Sequence, residues 1–182
     1  MRIGQNHAWH GALSFPAVAF GPVFVQATRL TQGAESEGIV SRVSEILRSK
    51  GNNVFQVDGT ITVFEAIKLM VEANVGALLV TEDGEITGIM TERDYLRRVT
   101  LEGRTDKEAL VREIMSSPII YVTPETSIDE CMAMMTERRI RHLPVMDGDE
   151  LAGIVSIGDL VKFQSKEQSF QIQYLTEYIG GR

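Results

Sequence analysis

An internal repeat constrains the fold of this chain more than any other feature of its sequence. Shifting the sequence by 65 residues aligns residues 57–98 with residues 122–163 without a gap. Ten aligned pairs are then identical: Val57/Val122, Glu65/Glu130, Met70/Met135, Glu72/Glu137, Leu78/Leu143, Val80/Val145, Glu85/Glu150, Gly88/Gly153, Ile89/Ile154 and Asp94/Asp159. A match of this length indicates duplication of one structural unit. A shorter leader, residues 43–47 and 111–115, repeats at an offset of 68.

Each repeat contains the same predicted order of elements. Thr62-x-x-Glu65 and Ser127-x-x-Glu130 are capping boxes, so a helix is expected to begin at each. Two short β-rich runs joined by an acidic glycine turn follow, with Asp83-Gly84 and Asp147-Gly148 as the predicted turns. A second helix is predicted over 92–99 and 157–163. The apolar positions of the first helix in each repeat fit i, i+3, i+4, i+7 spacing: Val63, Ala66, Ile67, Met70, and Ile128, Cys131, Met132, Met135.

The expected fold class is therefore α/β (α+β), with two β-α-β-β-α units. One unit of about 50 residues buries too little apolar surface to be stable alone. The two units are accordingly expected to pack through their sheets, with pseudo-twofold symmetry. Cys131, the single cysteine, is expected in the core rather than as a reactive thiol.

A short motif closes each predicted hairpin. It reads Gly-Ile-Met-Thr-Glu-Arg-Asp over 88–94 and Gly-Ile-Val-Ser-Ile-Gly-Asp over 153–159. With the order of elements, these motifs resemble the CBS domain pair, or Bateman module. The likeness is greatest to small stand-alone CBS-pair proteins of plant organelles and bacteria. It places repeat 1 at 40–104, repeat 2 at 108–165 and a C-terminal helical tail at 166–182.

The motif Gly-apolar-apolar-Ser/Thr-x-x-Asp is the adenosine-binding signature of that family, which makes Thr91, Asp94, Ser156 and Asp159 candidate ligand-binding residues. An aspartate at a helix start can accept hydrogen bonds from both ribose hydroxyls, while free amides face a phosphate. The same residues can also simply cap helices. Both interpretations stay open at this point.

The resemblance extends the candidate site to the junction between helix and strand. It implies that Arg141 and His142 point into a cleft between the repeats and meet phosphates, with Arg139 a weaker candidate. The matching positions in repeat 1 are Gly76 and Ala77, which carry no charge, so the two clefts should differ in affinity. The remaining expected contacts are apolar walls for adenine: Val57, Val75 and Ile140.

The expected ligand is AMP, ADP or ATP, with S-adenosylmethionine as an alternative, and no cofactor is required. The sequence contains no P-loop, HExxH, GxSxG or paired cysteines, so we expect no enzymatic activity and no metal site. His7 and His10 have an H-x-x-H spacing but no further ligands nearby. The leading hypothesis is a regulatory nucleotide sensor. Its rival is a structural dimerisation or scaffold module without a ligand.

Charge is distributed unevenly along the chain. Residues 1–34 contain two arginines and no acidic residue, whereas the remainder has 16 basic and 25 acidic residues, a net charge of −9. Such a surface repels phosphate backbones, so nucleic-acid binding is not expected. Residues 1–36 are predicted to be a targeting peptide or a disordered head. Pro16, Gly21 and Pro22 argue against a membrane span. The expected location is mitochondrial, with the chloroplast or a bacterial cytoplasm as alternatives.

Apolar residues continue at helical spacing into the tail, and this face should cap the module or join two chains. Its residues are Phe163, Phe170, Tyr174, Leu175, Tyr178 and Ile179. By resemblance to other CBS pairs, a homodimer and a regulated protein partner are expected, with a thioredoxin-type redox system as one candidate partner.

Overall fold

The computed structural model describes residues 24–26 and 40–180. The predictions about a targeting head, apart from its residues 24–26, and about His7 and His10 concern residues outside this description. Within the described head, strand β1 (Phe24–Gln26) pairs in parallel with a strand of repeat 2. The predicted head of 1–36 did not include this strand.

Repeat 1 follows the predicted order, preceded by a leader helix. Its elements are α1 (Val43–Lys50), β2 (Gln56–Asp58), α2 (Val63–Ala73), β3 (Ala77–Glu82), β4 (Glu85–Thr91) and α3 (Glu92–Tyr95). A π-helical turn over Leu96–Thr100 continues from α3. Thr62 caps α2 as predicted, because its side chain accepts a hydrogen bond from the Glu65 amide and the Glu65 carboxylate accepts from the Thr62 amide.

Repeat 2 has the same order, with a shorter leader helix and a much longer last helix. Its elements are α4 (Val111–Ile114), β5 (Ile119–Tyr121), α5 (Ile128–Arg138), β6 (His142–Asp147), β7 (Glu150–Ser156) and α6 (Ile157–Gly180). Ser127 and Glu130 form the predicted capping box of α5. The α/β fold class and the two β-α-β-β-α units are therefore confirmed.

The pairing of strands repeats almost residue for residue. β3 pairs antiparallel with β4, and β6 with β7, with a register shift after Val80 in one and after Val145 in the other. β2 pairs in parallel with β3, where Val57 lies opposite Val80, and the equivalent bridge in repeat 2 joins Val122 to Val145. Equivalent residues thus occupy equivalent places, as a pseudo-twofold arrangement requires.

The turn of the second hairpin is one residue later than predicted. Because Glu82 pairs with Glu85, Asp83 and Gly84 form the first turn. Both residues have positive φ. In repeat 2, Asp147 pairs with Glu150, so the turn is formed by Gly148 and Asp149 instead of Asp147-Gly148. Gly148 has φ +59°, the requirement at the first central position of a type II′ turn.

Each repeat completes its core with the leader helix of the other repeat. Val43 and Ile46 of α1 are buried with Cys131, Leu143 and other core residues of repeat 2. Val111 and Ile114 of α4 are buried in the core of repeat 1. Because the two cores share their helices in this way, the leaders bind the repeats to each other rather than each to its own unit.

Symmetric backbone hydrogen bonds fix this exchange. In repeat 1, the Val63 amide donates to the Ala109 carbonyl and the Val111 amide donates to the Ile61 carbonyl. The equivalent bonds in repeat 2 run from Ile128 to Ser41 and from Val43 to Thr126. Each leader therefore enters the other repeat at the start of its capped helix.

The sheets of the two repeats also pack on each other, as expected. Leu79 and Ile86 of repeat 1 form one buried cluster with Ile119 of repeat 2. Ile89 and Leu151 pack against that cluster from the two hairpins. The predicted packing through the sheets is confirmed, although the exchanged leaders contribute a second contact that the sequence did not predict.

The tail is not a separate helix. α6 runs without a break from Ile157 to Gly180, because residues 159–179 contain neither glycine nor proline to end it. The tail, predicted to begin at residue 166, continues the last helix of repeat 2 as far as residue 180. The apolar side chains of the tail do not cap the module, since the large ones beyond residue 169 are 55–78% exposed.

Candidate functional site

In repeat 1, the candidate box lies at the junction of β4 and α3. Asp94 Oδ2 accepts from the Thr91 amide at 2.9 Å and from the Thr91 hydroxyl at 2.6 Å. Asp94 Oδ1 accepts from the Ser116 hydroxyl at 3.0 Å. Both carboxylate oxygens thus already have partners within the chain, and the box caps α3 as the alternative interpretation expects.

In repeat 2, the equivalent box lies at the junction of β7 and α6. Asp159 Oδ2 accepts from the Ser156 amide and hydroxyl, each at 2.8 Å, and from Lys50 Nζ at 2.7 Å. Oδ1 has no hydrogen-bond partner among the described residues. Burial raises the pKa of Asp159, but the bonds from Lys50 and Ser156 outweigh it and hold the pKa below its usual value. Asp159 is therefore ionised at neutral pH.

The two boxes are connected through a contact between Gly76 and His142. Ala77 pairs with Thr91 across the first hairpin, and His142 pairs with Ser156 across the second. The imidazole of His142 covers Gly76 so closely that a Cβ there would be 3.2 Å from its Cε1 atom. The structure thus brings the Thr91 and Ser156 ends of the hairpins to either side of this contact.

His142 is neutral at pH 7 in this environment. Burial lowers its pKa, and it outweighs the opposing effect of the Asp159 and Glu92 carboxylates, while the charges of Lys50 and Arg141 lower the pKa further. A neutral imidazole can donate one hydrogen bond and accept another, but it carries no charge of its own to offer an anion. The neighbouring arginine side chains, by contrast, are positively charged.

The arginines next to His142 make different contacts. The carbonyl of Arg141 accepts from the amide of Ile157, the first residue of α6, and the Arg141 side chain is exposed. Arg139 ends α5 in a left-handed conformation, with φ +54°. Its carbonyl accepts from the Arg93 guanidinium of repeat 1 at 2.6 Å. Arg141 is thus next to the box of repeat 2, whereas Arg139 takes part in a contact between the repeats.

The predicted adenine walls lie mainly in the cores. Val57 is buried within the core of repeat 1, and Val75 packs against the same core. Ile140 packs against the core of repeat 2. Their contact with a ligand stays a prediction.

Two residues that the sequence analysis did not single out touch the carboxylates of the boxes. Lys50 contacts Asp159 and Ser116 contacts Asp94. Each follows a repeated leader segment, Val43–Leu47 and Val111–Met115 respectively. The repeat itself was visible in the sequence, but the exchange that carries each leader to the opposite box was not.

Two surface depressions of the described chain lie apart from the boxes. Depressions of about 350 Å³ and 340 Å³ lie along α6 near Lys166 and beside Arg104, and neither is lined by a residue of the boxes. Between residues 40 and 180, no three or more His, Cys, Asp or Glu side chains are grouped to hold a metal ion. None of the helices described is long and apolar enough to cross a membrane.

Comparison with known proteins agrees with this architecture. The family model described as the CBS domain matches residues 43–100 and 111–166. The CBS domain-containing protein CBSX3, mitochondrial, of Arabidopsis thaliana is 40% identical over 174 residues, covering 87% of this chain and 83% of that protein. The CBS domain-containing protein YhcV of Bacillus subtilis is 35% identical, covering 70% of this chain and 90% of that protein.

A solved structure gives the same result. It is a putative signal-transduction protein with CBS domains from Burkholderia ambifaria MC40-6, which is 50% identical. The match has a TM-score of 0.69 and covers 70% of this chain and 96% of that one.

Proposed function

The chain belongs to the CBS domain family, as a tandem pair, and on this premise we propose that it is a sensor that binds an adenosine nucleotide and thereby regulates a partner protein. CBS pairs as a class bind adenosine ligands and regulate partners, and stand-alone CBS proteins are regulatory rather than catalytic. We accordingly propose that this chain has no catalytic activity of its own and needs no cofactor.

The observation that carries the proposal is the state of Asp159. Its Oδ2 atom is held by the Ser156 amide and hydroxyl, while its Oδ1 atom has no partner among the described residues. Because the carboxylate is ionised and fixed at a helix start, it can accept hydrogen bonds from ribose hydroxyls without reorganisation. The adenosine part of the ligand would therefore be anchored at the box of repeat 2.

Arg141 and His142 would receive the phosphate. Arg141 is exposed next to this box, and His142 can donate one hydrogen bond as a neutral imidazole. The equivalent positions in repeat 1, Gly76 and Ala77, have no polar side chain. We therefore propose AMP, ADP or ATP as the ligand, with S-adenosylmethionine as the alternative, and tighter binding in the cleft of repeat 2.

Regulation would follow from contacts that cross between the repeats. The Arg93 guanidinium of repeat 1 binds the Arg139 carbonyl of repeat 2, and His142 covers Gly76. A ligand that engages Arg141 and His142 changes the neighbours of both contacts, so the relative tilt of the repeats can respond to it. If the repeats adopt two relative tilts, only a ligand that binds the two with different affinity can shift their populations. The regulated protein, for which a thioredoxin-type system is a candidate, would distinguish the two.

Calorimetry and thermal denaturation of the full chain test this function. Saturable heat on titration with AMP or ATP, and a melting temperature that rises with ligand concentration, are expected. Asp159→Asn should abolish most of this binding, since the amide donates where the carboxylate accepts. Asp149→Asn, in an exposed turn, is the control and should bind like the wild type. Absence of heat and of any thermal shift with AMP, ADP, ATP and S-adenosylmethionine would refute the sensor.

The scaffold alternative has one observation in its favour. Asp94 already uses both carboxylate oxygens, one of them for the Ser116 hydroxyl, so the box of repeat 1 is satisfied as a helix cap. Under that alternative, Asp94→Asn and Asp159→Asn each cost about 1 kcal/mol or less. Neither substitution would then alter any response to a nucleotide.

We propose further that two copies associate through the exposed part of α6. Six large apolar side chains there are 55–78% exposed: Phe170, Ile172, Tyr174, Leu175, Tyr178 and Ile179. At about 150–250 Å² for a large aromatic side chain, the three aromatic residues alone present roughly 300–500 Å². With the three aliphatic side chains, the segment approaches the area of about 800 Å² that each partner buries in a standard interface. Lys166 lies near the start of this segment and Glu177 near its end, so an antiparallel pair brings opposite charges together.

Light scattering during size-exclusion chromatography tests the homodimer. The wild type should have the mass of a dimer, and the double variant Tyr174→Glu/Tyr178→Glu that of a monomer. Val71→Glu, on the 75% exposed position of α2, is the control and should remain dimeric. A wild-type monomer at micromolar concentration would contradict the proposed interface.

We also propose that residues 1–36 direct the chain to mitochondria. The support is the absence of acidic residues from 1–34, and a relative named as mitochondrial. Import of a reporter carrying this segment into isolated mitochondria is the test. If the reporter stays outside the mitochondria, the chloroplast or a bacterial cytoplasm is favoured as the location.

A further inference from the structure

We propose that Lys50 is the residue that selects phosphorylated ligands in the cleft of repeat 2. It would interact with the anionic group of an adenosine ligand whose ribose is bound by Asp159. The inference rests on the proposed function, and it adds a specificity-determining residue that comes from the leader helix of the opposite repeat. The cleft of repeat 1 would lack this selectivity.

The position of Lys50 supports this role. Its Nζ atom lies 2.7 Å from Asp159 Oδ2, and the two side chains are 29% and 26% exposed. An ammonium group has three N–H donors, and one is used here. Lys50 therefore approaches the carboxylate on the oxygen already occupied by Ser156, leaves Oδ1 for a ribose hydroxyl, and keeps donors for a second anion.

The leader helix holds Lys50 in place. Lys50 is the last residue of α1, and the following residue, Gly51, has φ +84° and donates its amide hydrogen to the Leu47 carbonyl at 2.9 Å. Leu47 packs against Gly153, which precedes the box of repeat 2 in the motif. The end of α1 is thus anchored beside the box of repeat 2, which keeps the backbone of Lys50 close to Asp159.

Two cations and two carboxylates surround the imidazole of His142. Lys50 and Arg141 both act electrostatically on His142, so two cations lie near the same imidazole. Glu92 and Asp159 face it with negative charge. Because Asp159 is directed to the ribose and paired with Lys50, a ligand phosphate would find Lys50 and Arg141 as its nearest cationic partners.

Repeat 1 differs at the equivalent place. Asp94 is contacted by the hydroxyl of Ser116, a neutral group, where Asp159 is contacted by an ammonium. The difference arises because α4 ends at Ile114, whereas α1 extends to Lys50. The extra turn of the first leader helix therefore gives only one of the two clefts a cation on its carboxylate.

Calorimetry with AMP and with adenosine, on the full chain, tests the inference. Lys50→Met keeps the aliphatic stem and removes the charge. It should weaken AMP binding about tenfold, the size of one charge-assisted contact, and change adenosine binding less than about twofold. Lys50→Arg should restore much of the AMP affinity. Lys68→Met is the matched control, since Lys68 is 66% exposed and pairs with Glu72 on α2 at 3.8 Å.

Salt dependence gives a second readout that a purely structural role would not change. AMP affinity of the wild type should fall as NaCl rises, and Lys50→Met should reduce this dependence. If Lys50→Met loses AMP and adenosine binding equally, Lys50 only positions Asp159 and the inference is wrong. An unchanged affinity of Lys50→Met for AMP would also overturn the inference. If the wild type binds none of AMP, ADP, ATP and S-adenosylmethionine, the proposed function itself fails. If the wild type binds AMP and Lys50→Met binds it with the same affinity, only the role of Lys50 is refuted.

Discussion

Replacing Gly88 with alanine should destabilise the protein because of the exchanged leader helix. Gly88 lies on β4, and a Cβ there would overlap Met115 Sδ. It would also be 2.8 Å from Met115 Cγ and 3.1 Å from Met115 Cβ. These atoms are close to the backbone of the segment that follows α4, so they cannot move away by rotation of a side-chain end. Gly153 is the equivalent residue, but its Cβ would meet mainly Leu47 Cδ2, at 2.8 Å.

The expected magnitudes follow from this difference. Overfilling a packed site costs about 1–3 kcal/mol. A glycine replaced by alanine in a permitted conformation regains about 0.4–1 kcal/mol through the unfolded state. Gly88→Ala should therefore lose about 1–2 kcal/mol. Gly153→Ala should stay within about 0.5 kcal/mol of the wild type, because a rotamer change of Leu47 costs about 0.5–1.5 kcal/mol.

Urea denaturation followed by circular dichroism measures these values, and a double-mutant cycle identifies their origin. Met115→Ala removes the Cγ and Sδ atoms and leaves only the Cβ contact at 3.1 Å, so Gly88→Ala should cost less in that background than in the wild type. The coupling energy should be about 1 kcal/mol or more. Additivity of the two substitutions within about 0.5 kcal/mol would refute the contact between Gly88 and the leader of repeat 2. Equal losses for Gly88→Ala and Gly153→Ala would refute the argument about which atoms can move.

Three further predictions concern single side chains. The pKa of His142 is lowered in the folded chain, so the unfolded chain takes up a proton first as pH falls below about 6.5, and the stability of the protein should decline there. In thermal melts from pH 7.5 to 5.5, His142→Gln should reduce the dependence of the melting temperature on pH. An unchanged pH dependence would contradict this prediction. Burial raises the pKa of Cys131 to about 12, so a thiol reagent at pH 8 should label this thiol only after unfolding. Rapid labelling of the native protein would count against the position of Cys131 in the core. Ser127→Ala should cost about 1 kcal/mol in urea denaturation through loss of the α5 cap, with Ser165→Ala, on the exposed side of α6, as a neutral control.

Local chemistry made much of the fold predictable. The boxes at Thr62 and Ser127 depend on residues three positions apart, so both helix starts were correct. The core position of Cys131 followed from helical spacing in the same way. The second hairpin turn was misplaced because Asp-Gly is the commonest turn pair, whereas the strand register selects Gly148-Asp149. Register depends on both strands and was not visible in the turn alone.

Long-range placement was not predictable from the sequence. The leader segments were recognised as repeats, but nothing in residues 43–47 indicates that their helix packs in the opposite repeat. Lys50 was missed for that reason, since it is 109 positions from Asp159 in the chain. The last helix was predicted only to residue 163, where the repeat was expected to end, although no residue at that point stops a helix.

A crystal structure of the full chain grown with AMP is the sharpest test of the nucleotide site. The expected result is a ribose hydroxyl within hydrogen-bond distance of Asp159 Oδ1, and a phosphate facing Arg141 and His142 in the cleft between the repeats. Nucleotide bound elsewhere on the surface, or AMP-soaked crystals in which Asp159 keeps only its present partners Ser156 and Lys50, would contradict it.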